Sequence, residues 1–215
     1  MPSSRLVSLP NAVIAPGNID KQAAKRKIGA CLNILPTTKI ILYAGRLSDE
    51  KDPLLFLDTV KELEASGIEF TGILAGEGPL SEAVYAKIEH LDLGASIITP
   101  GFVNNIHELI TASDLLLLTS KTEGTPMIVL EAMARGCVVV STNVGGMADI
   151  IENDNNGILV DSRDPRHLSF CCQKLLENNK QLQHLKNSAE KTILNRYSLR
   201  AQIDEYQNRY LELWQ

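Results

Sequence analysis

The sequence places Arg46 and Lys51 in one short segment, Gly45-Arg46-Leu47-Ser48-Asp49-Glu50-Lys51, directly after an apolar run. Arginine offers phosphate oxygens a planar fork and lysine a mobile point charge, so the two can clamp a diphosphate and stabilise it as a leaving group. The competing reading is a solvated loop whose cations pair with Asp49 and Glu50. A second segment, Thr122-Glu123-Gly124-Thr125-Pro126 through Glu131, follows another apolar run and opens a helix. Free amides at a helix start favour an anion, and carboxylates accept hydrogen bonds from vicinal hydroxyls such as those of ribose or a hexose. Glu123 and Glu131 can therefore serve different parts of one long ligand. Their plainer alternatives are an acid complementing the helix dipole for Glu123 and a solvated helical side chain for Glu131. Gly145-Gly146 suits either close backbone approach to a ligand or a simple turn. His107 receives no role.

The elements that must position these residues alternate. Lys39–Ala44, Ile68–Ala75, Ser96–Thr99, Asp114–Thr119, Cys137–Ser141 and Gly157–Val160 read as short strands buried on both faces. Between them, helices are expected near 22–31, from Pro53 to Gly67, from Gly78-Pro79 onward, over 105–110 and 126–134, near 147–151, and from Pro165 to Leu176. Asp52-Pro53 and Asp164-Pro165 repeat one device, an aspartate cap followed by proline in the first turn. Two further helices are expected over 181–194 and 199–214. Leu6–Ile14 is an extended candidate interrupted by Pro10. This order predicts an α/β, Rossmann-like open parallel six-stranded sheet with helices on both faces. Ligands of such sheets lie beyond the carboxyl ends of the strands, where Gly45, Gly76, Gly101 and Gly124 fall.

Composition removes several function classes. The formal charge of −5, from 26 acidic and 21 basic residues, provides no global positive field for nucleic acid. No apolar run approaches the roughly 20 residues of a membrane span, and the opening Met1-Pro-Ser-Ser-Arg does not begin a secretory leader. A cytoplasmic protein is expected, with peripheral membrane attachment open through a further domain or partner. Cys31, Cys137, Cys171 and Cys172 lack redox or zinc spacing, and no metal site is expected. Gly76-Glu77-Gly78 falls short of the dinucleotide fingerprint, and no P-loop is present.

Taken in order, Gly45-Arg46-Leu47 with Lys51, Gly76-Glu77-Gly78-Pro79, Gly101-Phe102-Val103, Ser113-Asp114, Glu123-Gly124 through Glu131-Ala132-Met133-Ala134-Arg135-Gly136, and Gly145-Gly146 resemble glycosyltransferase family 4. The resemblance covers about residues 6 to 215 and implies the C-terminal, nucleotide-sugar-binding half of a GT-B fold. It divides the chain into an N-terminal segment, 1–36, a Rossmann-like domain, 37–196, and a C-terminal helix, 197–215. It implies that Arg46 and Lys51 hold the donor diphosphate, that Glu123 meets the donor sugar and Glu131 the ribose, and that the Gly124-Thr125 amides complete the pocket. Gly45, Gly76, Gly78, Phe102 and Val103 would border phosphate and base. The implied activity is retaining transfer of a hexose from a UDP- or GDP-linked donor to a hydroxyl, with no further cofactor required. The acceptor would be bound by an N-terminal domain or partner subunit; a non-catalytic nucleotide-sugar-binding or assembly module is the alternative. Three positions depart from the family pattern: Ala12 and Ile14 within Pro10-Asn11-Ala12-Val13-Ile14, and Asp52 after Lys51. The last segment carries Tyr197, Leu199, Ile203, Tyr206, Tyr210, Leu213 and Trp214, and is expected to pack on its own sheet, the alternative being a surface that awaits a partner.

Overall fold

The structure, a computed structural model, describes residues 11–17 and 19–213. The first part of the Leu6–Ile14 candidate, through Pro10, and Trp214 lie outside the described residues. Of that candidate, Val13 forms a single parallel bridge with Ser198.

Six parallel strands form one sheet. They are β1 (Lys39–Ala44), β2 (Phe70–Ala75), β3 (Ile97–Gly101), β4 (Leu115–Leu118), β5 (Val138–Thr142) and β6 (Ile158–Val160), in the spatial order β3-β2-β1-β4-β5-β6. The order reverses between β1 and β4, so a crevice opens at their carboxyl ends because the connections leave them in opposite directions. Alternate residues feed two cores. Ile40, Leu42, Leu116 and Val139 face one side, together with α1 (Lys21–Leu32), α4 (Ile106–Ala112) and α5 (Met127–Ala134). Ile41, Tyr43, Leu115 and Val138 face the other, against α2 (Pro53–Glu64), α3 (Ser81–His90), α7 (Pro165–Glu177) and the buried leucines of α8 (Asn179–Thr192). Coverage on both faces explains why β4 and β5 are apolar without alternation. A short α6 (Met147–Ile150) links β5 to β6.

The expected caps form. The Asp52 carboxylate accepts from the Leu55 amide at 3.2 Å, and that of Asp164 from the Arg166 amide at 3.0 Å. Helix α3 begins at Ser81 rather than at Gly78-Pro79, because Gly78 is held in a turn closed by the Ser81 hydroxyl. After α8 a π-helical turn, Ile193–Tyr197, leads to α9 (Leu199–Leu213). The expectation that the last segment packs on its own sheet holds for Tyr197, buried in the core at 3% exposure, and not for the helix that follows. Leu199, Ile203, Tyr206 and Tyr210 are 49%, 47%, 44% and 63% exposed, while both faces of the sheet are covered by the helices before it.

The start of β4 carries a buried charge. Asp114 accepts from the Lys25 ammonium at 2.8 Å and from the Ile40 amide at 3.0 Å, which ties α1 and β1 to β4. Burial pushes its carboxyl pKa up, but Lys21, Lys25 and the Ile40 amide outweigh that and hold it below the usual carboxylate range. With the folded pKa lowered, the unfolded chain takes up the proton first as pH falls. Asp114 therefore contributes its full stability above about pH 5 and loses it as pH drops below about 4. Asp114→Ala strands the buried Lys25 ammonium and is expected to cost about 3–5 kcal/mol in urea unfolding at neutral pH. The penalty should shrink in acid, where the wild-type chain has lost this contribution as well.

Candidate donor-binding site

The loop after β1 is pinned before it reaches its chemistry. Leu47, 2% exposed, is the anchor: its amide donates to the Glu77 carbonyl at 3.0 Å, and its carbonyl accepts from the Leu80 amide at 2.9 Å. Gly76 adopts φ +144°, and a Cβ there would stand 1.9 Å from the Gly45 carbonyl oxygen. Only glycine lets the β2 exit pass this close to the β1 exit. The Tyr43 hydroxyl donates to the Arg46 carbonyl at 3.1 Å. Burial, and then the charges of Asp52 and Glu123, push its pKa well up, so it remains a phenol.

Across the crevice, the segment after β4 brings Glu123 to Lys51. The Lys51 ammonium lies 2.8 Å from Glu123 Oε1 and 2.7 Å from Oε2, while the Ser120 hydroxyl donates to Oε1 at 2.6 Å. The side chains are 30% and 5% exposed, respectively. This arrangement corrects the solvated-loop reading, in which Lys51 would pair with Asp49 or Glu50. Asp49 is paired with Lys121 instead, at 2.5 Å. No hydrogen bond or ion pair engages the Arg46 guanidinium among the described residues. The Glu123 segment is backed by Gly145, at φ +53°, whose Cβ would fall 1.8 Å from the Glu123 carbonyl oxygen. The glycine pair thus serves a loop-on-loop contact.

Between these loops lies a cavity of about 710 Å³. Of the residues singled out in the sequence, Gly45, Arg46, Lys51, Gly76, Phe102, Val103 and Glu123 line it. Gly78, Gly124, Thr125 and Glu131 do not. Gly78 packs under the Leu47 carbonyl, where a Cβ would meet the oxygen at 2.4 Å; Gly124 and Thr125 are exposed at the rim of the β4–α5 connection. Glu131 sits on α5 with its Oε1 3.4 Å from His107 Nε2, a contact unforeseen in the sequence. Burial draws the Arg135 pKa down and the Glu131 charge opposes this. Sequence reasoning also missed Ser120, although its spacing of three from Glu123 at a strand end was a usable signal. Tyr43 and Glu77, both on the cavity wall, were passed over. No group of three or more His, Cys, Asp or Glu among the described residues is disposed to hold a metal ion. No described helix is long and apolar enough to cross a membrane.

Residues 24–192 match the family described as glycosyl transferases group 1. The chain belongs to this family. Among its relatives are the α-1,3-galactosyltransferase of Escherichia coli acting on GlcNAc-diphosphoundecaprenol, 24% identical over 95% of this chain, and WcaL of E. coli K12, a putative colanic acid biosynthesis glycosyltransferase, 31% identical over 62%. The chain spans 54% and 35% of those two proteins. Two solved structures share the fold of this group 1 chain. HepE of Anabaena in complex with UDP superimposes at TM-score 0.80 and 20% identity, covering 88% of this chain and 53% of HepE. The C-terminal domain of a group 1 protein from Francisella tularensis superimposes at 0.75 and 22%, covering 86% of this chain and 97% of that domain. The sheet and its flanking helices are thus the C-terminal half of a GT-B fold.

The Lys51–Glu123 contact has a thermodynamic signature. Lys51→Ala leaves a nearly buried carboxylate with the Ser120 hydroxyl alone, and should destabilise the chain by roughly 1–3 kcal/mol. Lys51→Met combined with Glu123→Gln should recover most of that loss in urea titrations, because neither charge is then left unpaired.

Proposed function

We propose that this chain is the donor half of a retaining glycosyltransferase, binding a nucleoside-diphosphate sugar over the carboxyl ends of β1 and β4. One observation carries the reading: Arg46, unpaired among the described residues, and Lys51, paired with Glu123, flank one cavity at the point where strand order reverses. Lys51 has three N–H donors and spends two on Glu123, so the third can hold a phosphate oxygen while the carboxylate stays in place. Glu123 keeps free lone pairs for donor-sugar hydroxyls, with the Gly124 and Thr125 amides nearby. Met127 and Ile128 line the cavity, and Glu131 follows them at i+4 and i+3 on the same face of α5. That placement supports Glu131 as acceptor of the ribose hydroxyls. Gly45, Gly76 and Gly78 shape the phosphate wall, and Phe102 and Val103 the wall for the base.

In the transfer step the bond from the anomeric carbon to the diphosphate oxygen breaks, the acceptor hydroxyl oxygen bonds to the anomeric carbon with configuration retained, and the hydroxyl proton passes to the departing diphosphate, which carries the negative charge as it develops. Arg46 and Lys51 stabilise the charge as it develops, which is where fixed donors act most strongly. The acceptor would come from an N-terminal domain or partner subunit. On this reading residues 37–196 form the donor-binding unit, entered through 1–36 and followed by the C-terminal segment 197–215 that carries α9, and the protein works in the cytoplasm. UDP-linked sugars are the first donors to consider, given that HepE is seen with UDP and with UDP-glucose.

Calorimetric titration with UDP-, GDP- and ADP-glucose tests this. At least one should bind, and Arg46→Ala or Lys51→Ala should weaken it by about tenfold or more, since each removes a charge-assisted phosphate contact of some 1.5–3 kcal/mol. Lys121→Ala, a nearby cation already paired with Asp49, should leave affinity within about twofold. Unchanged binding in both the Arg46 and Lys51 variants would refute the assignment.

A further inference from the structure

A residue outside the cavity holds both sides of the Lys51–Glu123 contact. Arg163 follows β6, far along the chain from either loop. Its Nη1 donates to the Ser120 carbonyl at 2.7 Å and its Nη2 to the Thr119 carbonyl at 3.1 Å; Nη2 also engages the Asp52 carboxylate. Asp52 directly follows Lys51, and Ser120 supplies the hydroxyl bound to Glu123. One guanidinium therefore cross-links the two loops that carry the donor site.

Other contacts also join these loops, among them the Lys121 amide donating to the Glu50 carbonyl at 2.8 Å, but among the described residues Arg163 alone engages the Asp52 carboxylate and the Thr119 and Ser120 carbonyls together. Asp52 has φ +44°, a left-handed conformation that a side-chain-bearing residue keeps only when its surroundings impose it. Its carboxylate already caps α2 through the Leu55 amide. Thr119 and Ser120 are 0% and 2% exposed just past the end of β4, where the ladder ends and their carbonyls need other donors. The Thr119 hydroxyl returns the link by donating to the Asp52 carbonyl at 2.8 Å, and the Thr142 hydroxyl supports the Ser120 carbonyl at 2.7 Å. Three acceptors from two loops suit a planar fork with several donors, and a lysine ammonium at the end of a flexible stem does not reproduce it. Arg163 is absent from the cavity wall, so it acts through its neighbours.

We propose that Arg163 is a positioning residue for donor binding, fixing the separation of the Lys51 ammonium and the Glu123 carboxylate by tying the Lys51-Asp52 loop to the exit of β4. The proposal rests on that pair being the donor site. Displacement of a binding group by about 1 Å can cost on the order of a hundredfold in a well-ordered site, so loss of the cross-link should reach the donor.

The test is a double-mutant cycle on the full chain, read as affinity for UDP-glucose and GDP-glucose, with thermal unfolding followed in parallel. Arg163→Met should weaken the nucleotide sugar that the wild type binds by about tenfold or more. In a Lys51→Met background the same change should cost less than about threefold, because the group being positioned is gone. Arg163→Lys keeps the charge and should fold, yet lose most of the same affinity; it carries the test if Arg163→Met does not fold. Equal losses in both backgrounds, or near-wild-type affinity in folded Arg163→Lys, would overturn the proposal and assign Arg163 to stability alone. A wild-type chain that binds neither compound would instead remove the donor-site reading, and the proposal with it.

Discussion

The ion pair between Lys51 and Glu123 is the contact on which the rest of the site depends. It spans the crevice between β1 and β4, and its carboxylate is almost wholly buried. A carboxylate in that position must be matched by a cation and by hydrogen bonds, or the loops that carry it would not settle. Lys51 and Ser120 supply both. The same pair leaves unused capacity on each partner, one ammonium proton and several carboxylate lone pairs, and both side chains line the cavity. A stabilising contact and part of the cavity wall are thus built from the same two side chains.

The sheet makes this possible through its order. With all strands parallel and the sequence of strands reversed between β1 and β4, two loops that are 72 residues apart in the chain emerge side by side. Glycines then let backbone lie on backbone. Gly76 admits the Gly45 carbonyl, and Gly145 admits that of Glu123, at separations no side chain permits. These close backbone approaches fix how near the loops bordering the cavity lie to one another. Arg46 lies on the same wall, and its guanidinium has no hydrogen-bond or ion-pair partner among the described residues.

Much of the fold was legible because its signals are local. Apolar runs too short for buried helices marked the strands, and the two Asp-Pro pairs marked the starts of α2 and α7. Boundaries moved where local preference met tertiary context. The third strand runs through Pro100 to Gly101, which an edge strand tolerates because one side of its ladder is unpaired. The candidate site was legible in residue type but not in pairing. Nothing in the sequence distinguishes Glu123 from Asp49 or Glu50 as the partner of Lys51, since proximity in the chain favours the wrong two. His107 beside Glu131, and Arg163 behind both loops, are contacts made by the fold across long separations and left no periodic or motif signal. The last helix misled for a related reason: an apolar stripe records what a helix can bury, and says nothing about which surface is still vacant.

The most direct measurement is a crystal structure of this chain with UDP or a UDP-sugar bound, refined well enough to place the diphosphate oxygens. The account predicts those oxygens within hydrogen-bonding distance of the Arg46 guanidinium and the Lys51 ammonium, with Glu123 still beside Lys51 and facing the sugar. A nucleotide seated elsewhere on the sheet, or a diphosphate in the cavity that neither cation touches, would contradict it.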